Sequence, residues 1–256
     1  VSTMVVDTSS LSSVQKFSKN FLDENKGRPL DMLFLNAGRG VVYGQESTDP
    51  GSLILSEDGI EIFFATNYLG HHLMWLYLEH LVKKAPAGRV VLTSSAASFD
   101  TFPCKVATSM AQLHGQGLPQ TNTKYYGQSK LAQIMWGKKV TRNLLESDSS
   151  TFVNSAHPGF VDTPIFDKLN VWSMFNPVLN FLRTFAWTNE EGALTLLYLG
   201  TEPQKLKDLN VRGKYFHPQS QEVTNEHSLD EDLQDKLWNF SNKLVAAFAP
   251  GPNLID

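Results

Sequence analysis

LDMLFLNAG, residues Leu30 to Gly38, is apolar without alternation from Met32 to Leu35 and breaks at a glycine. A strand with one wet face alternates polar and apolar residues. A continuous apolar run of this length is a strand covered on both faces, as in a parallel sheet. Two further runs share the pattern: AGRVVLTSSAAS (Ala87–Ser98) and STFVNSAHPGFVDTP (Ser150–Pro164). Helical spacing lies between them. Leu11, Val14, Phe17 and Phe21 fall on one face of a first helix, a long helix is expected over about Asp58–Lys83, and another carries YYGQSKLAQIMWGKKVTRNLL.

The remaining elements follow from the same rules. STMVVDTS reads as a first strand, Thr3 to Asp7, and VRGKYFHP as a last one. A helix is expected from about Glu190 to Gly200. An amphipathic C-terminal helix follows, with Ser228 as its N-cap. Strand–helix alternation of this kind implies an α/β fold, a doubly wound parallel sheet with helices on both faces, in one domain spanning 1–256.

Composition narrows the function classes. The chain has 256 residues and net charge −4, so no general electrostatic attraction to nucleic acid exists. Cys104 is the only cysteine; no intramolecular disulfide can form, and a reducing compartment such as the cytoplasm fits. The most apolar window, FFATNYLGHHLMWLYLEHL, is interrupted by Asn67, His71, His72 and Glu79 and is no membrane span. His71 and His72 lack the further ligands a metal site needs, so no metal is expected.

In open α/β sheets ligands bind beyond the carboxyl ends of the strands. Asn36, Ala37 and Gly38, Ser94 and Ser95, and His157, Pro158 and Gly159 all end expected strands, so they converge there. In KYYGQSKLAQ (Lys124–Gln133), Tyr126 and Lys130 stand one helical turn apart, whereas Tyr125 faces elsewhere. An ammonium about 4 Å from a phenol contributes about 4 kcal/mol at an effective dielectric near 20. Before desolvation, that lowers the phenol by up to roughly three pKa units. The plain alternative is an exposed Tyr–Lys pair, and spacing alone does not decide between them.

YGQSK together with LNAG, TNYLGHH, VVLTSS and HPGFVDT, in this order, resembles the classical short-chain dehydrogenase/reductase family. SEDGIEIFFATNYLGHHLMWLYLEHL and NEEGALTLLYLG…GKYFHP resemble its retinol-dehydrogenase-like and WW-domain-oxidoreductase-like branch. The resemblance implies a Rossmann-like fold and an NAD(P)-dependent enzyme interconverting a carbonyl and an alcohol. Tyr126 would move the proton, Lys130 would bind the nicotinamide ribose, Ser95 would hold the substrate oxygen, and Asn67 would hold a relay water. Asn36, Ala37 and Gly38 would lie along the cofactor, Pro158, Gly159 and Thr163 at its nicotinamide side, and Asp7 near its adenine. NADP is favoured over NAD by analogy with the branch. His157 receives no proton-transfer role.

The family begins with a strand, a glycine-rich turn and a helix, and no such glycine pattern precedes LNAG here. The expectation is a fragment of a longer protein lacking the first two strand–helix units. Its first strand would then have no neighbours, and the LNAG strand would have an exposed edge. An upstream membrane anchor stays open. A substrate lid is implied over about 164–189, where Phe166, Trp172, Phe175, Phe181, Phe185 and Trp187 cluster. That density suits a lipophilic small molecule of retinoid, steroid or lipid aldehyde type; core packing, a homodimer contact or a membrane-surface contact are its alternatives. The rival reading from another class is a non-catalytic binding protein that has lost the cofactor loop.

Overall fold

A computed structural model describes residues 2–41, 53–101, 105–115, 121–161 and 186–251. Thr163, Cys104 and most of the expected lid lie outside these residues. In chain order the elements are α1 (Leu11–Asn25), β1 (Met32–Leu35), α2 (Ile62–Phe64), a π-helical turn (Ala65–Leu69), α3 (Gly70–Lys84), β2 (Arg89–Thr93), α4 (Met110–Leu113) and α5 (Asn122–Glu146). These are followed by β3 (Phe152–Ala156), α6 (Asn189–Thr201), α7 (Pro203–Asp208), β4 (Tyr215–His217), β5 (Gln221–Glu222) and α8 (Glu231–Val245).

The sheet runs β1-β2-β3-β4-β5, parallel through β4, with β5 returning antiparallel. Its two faces can be read off successive residues. Val90, Leu92 and Val153 join a core with Leu11 and Val14 of α1, Leu73 and Leu78 of α3, Leu131 and Met135 of α5 and Leu237 of α8. Val91 and Phe152, one residue out of step, join Leu199 of α6 and Leu206 of α7 on the other side. Helices therefore cover both faces, which is why these strands carry no polar alternation.

Three expectations are corrected. Thr3–Asp7 forms no strand: no neighbouring strand among the described residues offers it ladder hydrogen bonds, and Val5 is 96% exposed. The long helix starts at Ile62 rather than Asp58, because Glu61 supplies the cap. The last helix is capped by Asp230, which accepts from Leu233 N at 3.0 Å, while Ser228 sits in a preceding 3₁₀ turn and donates to the Asn225 carbonyl. β1 lies at the sheet edge with Met32 and Phe34 about 40% and 39% exposed, matching the open edge expected for that strand.

Two glycines fix how closely the helices approach. A Cβ on Gly70 would lie 2.2 Å from the Thr8 carbonyl oxygen, so α3 meets the start of the chain backbone to backbone. A Cβ on Gly127 would lie 2.3 and 2.5 Å from the carbonyl oxygens of Asp100 and Ala97. That contact seats α5 on the turn that follows Ser95.

Candidate active site

β2 ends at Thr93, and Ser94 and Ser95 continue into a 3₁₀ turn, Ala96–Phe99. Ser94 is buried and donates to the Lys130 carbonyl at 2.8 Å, tying the strand end to α5. Ser95 caps the turn, accepting from Ala97 N at 3.2 Å, and its side chain lies near enough to the Tyr126 phenol to lower the phenol's pKa. Thr121 caps α5, which brings Tyr126 and Lys130 onto one face. The Lys130 ammonium stands 5.6 Å from the Tyr126 ring centroid.

The electrostatics differ from the expectation drawn from spacing. Lys130 is 4% exposed and donates to the Thr93 carbonyl at 2.8 Å. Burial without a counter-charge pushes its pKa down to about 7. Tyr126 is raised above the usual phenol value by desolvation, with the Ser95 hydrogen bond opposing. The ammonium stands over the Tyr126 ring, and burial dominates the shifts of both groups.

Asn67 is fully buried on the π-helical turn, an element that recurs at functional sites. Its amide clamps the loop after β1. Oδ1 accepts from Arg39 N at 2.7 Å, and Nδ2 donates to the Arg39 carbonyl at 3.1 Å and to Ser129 Oγ at 2.9 Å. Ser129 in turn donates to the Tyr126 carbonyl at 2.7 Å. The last link joins Asn67 to the tyrosine helix, and sequence reading passed over it. Its signal lay inside YGQSK, in a serine three residues beyond the tyrosine.

The strand ends complete a crevice. Asn36 Oδ1 accepts from Thr93 Oγ1 at 2.7 Å, bridging β1 and β2. A Cβ on Gly38 would sit 3.0 Å from Asn67 Oδ1, tighter than an ordinary contact, and 3.5 Å from Lys130 Nζ, so the loop passes close to both groups. Gly159 has φ of 92°, and a Cβ there would meet Trp187 at 2.7 Å and Pro218 at 2.9 Å. Its N–H donates to His157 Nδ1 at 3.3 Å. His157 is held neutral, its pKa pushed to about 4 by burial, then by His217 and Lys130.

Sequence comparison agrees with this geometry. The family model for short chain dehydrogenase matches residues 1–111. A Brassica napus protein, Short-chain dehydrogenase TIC 32 A, chloroplastic, is 35% identical over 246 residues, covering 94% of this chain and 71% of its own length. Human Retinol dehydrogenase 14 is 29% identical over 247 residues, covering 94% of this chain and 65% of its own. The chain belongs to the short-chain dehydrogenase/reductase family. NADPH-bound carbonyl reductase from chicken fatty liver shares the fold, with a TM-score of 0.55 at 17% identity over 86% of this chain and 75% of that one.

As a member of this family, in its retinol-dehydrogenase-like branch, the protein is an NAD(P)-dependent oxidoreductase. Its residues fit a nicotinamide nucleotide. A buried ammonium has three donors, and the Thr93 carbonyl takes one of Lys130's. A diol at this spot would accept from the others. The glycine cradle at Gly38 leaves backbone exposed directly beside it.

Asn36, Gly38, Asn67, Ser95, Tyr126 and Lys130 thus come together, with Ala37 between the first two. Pro158 and Gly159 lie at the neighbouring strand end. Asp7 stands apart from these contacts. Its carboxylate is exposed and accepts from Ser9 N at 2.8 Å and Ser9 Oγ at 2.7 Å, a local turn preceding α1. Only its neighbour Thr8 touches the Asn67 helix, through Gly70. Tyr125 is buried with Ile62 and Phe63, and Tyr126 packs against the same cluster.

Proposed function

We propose that the protein, acting as one Rossmann-type domain, interconverts a carbonyl and an alcohol on a lipophilic small molecule, with Tyr126 as the proton donor and acceptor. One observation carries the reading: the Ser95 side chain, the Tyr126 phenol and a buried ammonium lie close together at the carboxyl ends of parallel strands. Two such hydroxyls form a cleft for one oxygen atom. Ser95 donates to that oxygen and stabilises charge developing on it, while Tyr126 gives or takes the proton. Asn67 holds the cofactor loop through Arg39 and fixes Tyr126 through Ser129.

Lys130, Gly38, Asn36 and Ala37 would hold the nicotinamide nucleotide on one side and Pro158, Gly159 and Thr163 on the other. Asp7 is the proposed adenine neighbour. The bound nucleotide supplies or accepts hydride at the substrate carbon. We take NADP over NAD by analogy with the branch.

The substrate class is read from the described wall and from the lid sequence. Phe99, 42% exposed, lies 6.4 Å from the Tyr215 ring and 6.1 Å from the His217 ring. His217 meets His157 at 5.3 Å, and both rings are pushed toward neutrality by burial. Tyr215 is close enough to Tyr126 to be perturbed by it. An uncharged aromatic wall beside the hydroxyl pair favours an apolar, uncharged substrate, such as a retinoid, steroid or lipid aldehyde. The aromatic segment over 164–189 would close over it.

The test is Tyr126→Phe, assayed by NADPH oxidation with all-trans-retinal and decanal and by NADPH binding through tryptophan fluorescence. Turnover should fall by about 10² to 10⁴, the usual contribution of a positioned proton donor. Nucleotide binding should stay at the wild-type level. A variant that keeps wild-type turnover rejects the role of Tyr126.

A further inference from the structure

The turn Ala96–Phe99 that follows Ser95 is held from two sides. On one side α5 is seated against the carbonyls of Ala97 and Asp100 at Gly127. On the other stands Asn225, 127 residues from Ser98 in the chain and 1% exposed. Its Nδ2 donates to the Ser98 carbonyl at 3.1 Å and reaches Ser98 Oγ at 3.1 Å. Ser98 is fully buried, and its own N–H donates to the Ser95 carbonyl at 3.0 Å. A carbonyl buried this deeply needs a donor, and Asn225 brings one.

The surrounding backbone fixes which way the Asn225 amide points. Oδ1 accepts from His227 N at 3.1 Å, and a backbone N–H can only donate. Nδ2 is therefore the end that faces the Ser98 carbonyl, which can only accept. Asn225 is fixed from behind as well. Its carbonyl accepts from Ser228 N at 2.9 Å and from Ser228 Oγ at 2.7 Å. The Ser228 carbonyl accepts from Gln234 Nε2 at 2.8 Å, which carries the chain of contacts to α8. Gln234 Oε1 accepts from Arg142 Nη2 at 3.2 Å, and Arg142 belongs to α5. The segment 225–234 thus joins the Ser95 turn to the helix of Tyr126 by a route outside the site.

We propose that Asn225 is a positioning residue of the active site, which through Ser98 holds the turn that sets Ser95 beside Tyr126. The proposal rests on the roles given above to Ser95 and Tyr126. Asn225 acts on the backbone of the turn rather than on the substrate. Without its donor the turn loosens, and Ser95 Oγ, which caps that turn at Ala97 N, loses its fixed direction. Phe99, part of the proposed substrate wall, moves with it. The nucleotide side stays in place, because Lys130 is bonded to the Thr93 carbonyl and Asn36 to Thr93 Oγ1. The signature is slow chemistry at unchanged nucleotide affinity.

A second buried asparagine is the control for plain loss of stability. Asn154 on β3 is 2% exposed, donates from Nδ2 to the Val211 carbonyl at 2.9 Å and accepts from Lys214 N at 3.0 Å. Its pairing and burial match those of Asn225, but it ties β3 to the loop before β4.

The experiment uses the full chain with Asn225→Ala and Asn154→Ala. Each truncation strands a buried carbonyl, so both should lower the unfolding temperature. Rates are measured for NADPH-dependent reduction of decanal, nucleotide affinity by tryptophan fluorescence, and amide exchange at Ala97, Ser98 and Asp100. N225A should lose about ten- to a hundredfold in kcat, the order expected for a site displaced by up to about 1 Å. Its NADPH affinity should match wild type, and exchange at the three turn amides should rise above any rise in β2 and β3. N154A should keep wild-type kcat and wild-type exchange in the turn.

An N225A enzyme no slower than N154A overturns the proposal. So does exchange raised evenly over the whole sheet, which would mark Asn225 as a plain stability element. Should N225A fail to fold, wild type decides: turn amides that exchange as freely as those of an exposed loop overturn the proposal, because the turn is then not held. If wild type reduces no decanal, the reading of the reaction falls on its own, and the exchange comparison between N225A and N154A still decides for or against Asn225.

Discussion

Gly127 follows Tyr126, the proposed proton donor and acceptor, on α5, and Gly127→Ala tests whether that spacing matters to chemistry. An added Cβ would lie 2.3 Å from the Asp100 carbonyl oxygen and 2.5 Å from that of Ala97. Both are backbone atoms, so no side chain can rotate away. Restoring an ordinary contact of 3.4 Å or more demands a retreat of roughly 1 Å between α5 and the turn Ala96–Phe99. Ser95 caps that turn and Tyr126 rides on α5, so the retreat separates the hydroxyl pair directly. A displacement of that size costs about 10²-fold in rate, and the overpacking costs about 1–3 kcal/mol of stability. Gly137→Ala is the control on the same helix. Its Cβ would meet only Leu92 Cδ1 at 3.6 Å and Val153 Cγ1 at 3.8 Å. There alanine should stabilise by up to about 1 kcal/mol through helix propensity and leave kcat unchanged. The assay is decanal reduction with NADPH alongside thermal unfolding for both variants. A G127A enzyme as fast as G137A would show that the close seating of α5 on the Ser95 turn plays no part in catalysis.

Other consequences follow from single contacts. Lys130→Met should abolish turnover and raise the unfolding temperature at pH 6, because wild type keeps an ammonium buried there. The folded pKa of about 7 lies below the unfolded value near 10.5, so wild type gains stability as pH rises between them. The stability advantage of K130M should therefore shrink from pH 7 to pH 10.5 in paired melting curves; a constant difference would contradict the buried charge. Ser129→Ala strands one of the two Asn67 Nδ2 donors, the other still reaching the Arg39 carbonyl, and should cost about 1–3 kcal/mol with a fall in kcat, measured by denaturant unfolding and initial rates. Thr188→Ala removes the capping box with Glu191 at the start of α6. It should cost about 1 kcal/mol in denaturant melts without altering the pH profile of turnover.

How far these features were legible depended on which contacts are local. The buried strands could be read because coverage on both faces forces continuous apolar runs, and Val90, Val91 and Leu92 divide between two cores as that requires. STMVVDTS has equal strand propensity and forms no strand. A ladder needs a neighbour, and propensity says nothing about whether one is present. The start of the long helix was misplaced for a similar reason. Asp58 and Glu61 are both plausible caps in sequence, but Asp58 instead accepts from Leu11 N at 2.9 Å, a partner 47 residues away. Ser228 lost its capping role to Asp230 through competition of the same kind.

At the site, helical spacing was legible and energetics were not. Spacing put the Tyr126 ring and the Lys130 ammonium on one face. It could not supply the dielectric. A lysine one turn from a tyrosine in water and the same pair in a nearly dry crevice share one sequence, but in the second case desolvation moves both groups toward neutrality. The phenol is therefore not acidified in advance by its neighbour. What the fold provides is an ammonium held in place with donors unspent, a serine beside the phenol, and an asparagine fastened to both the loop and the tyrosine helix. Ser129 belongs to the same scaffold, and it escaped sequence reading because its partner Asn67 lies 62 residues away. A site assembled this way is poised by position rather than by acidity, which is why a 1 Å displacement at Gly127 should cost far more than its stability penalty alone.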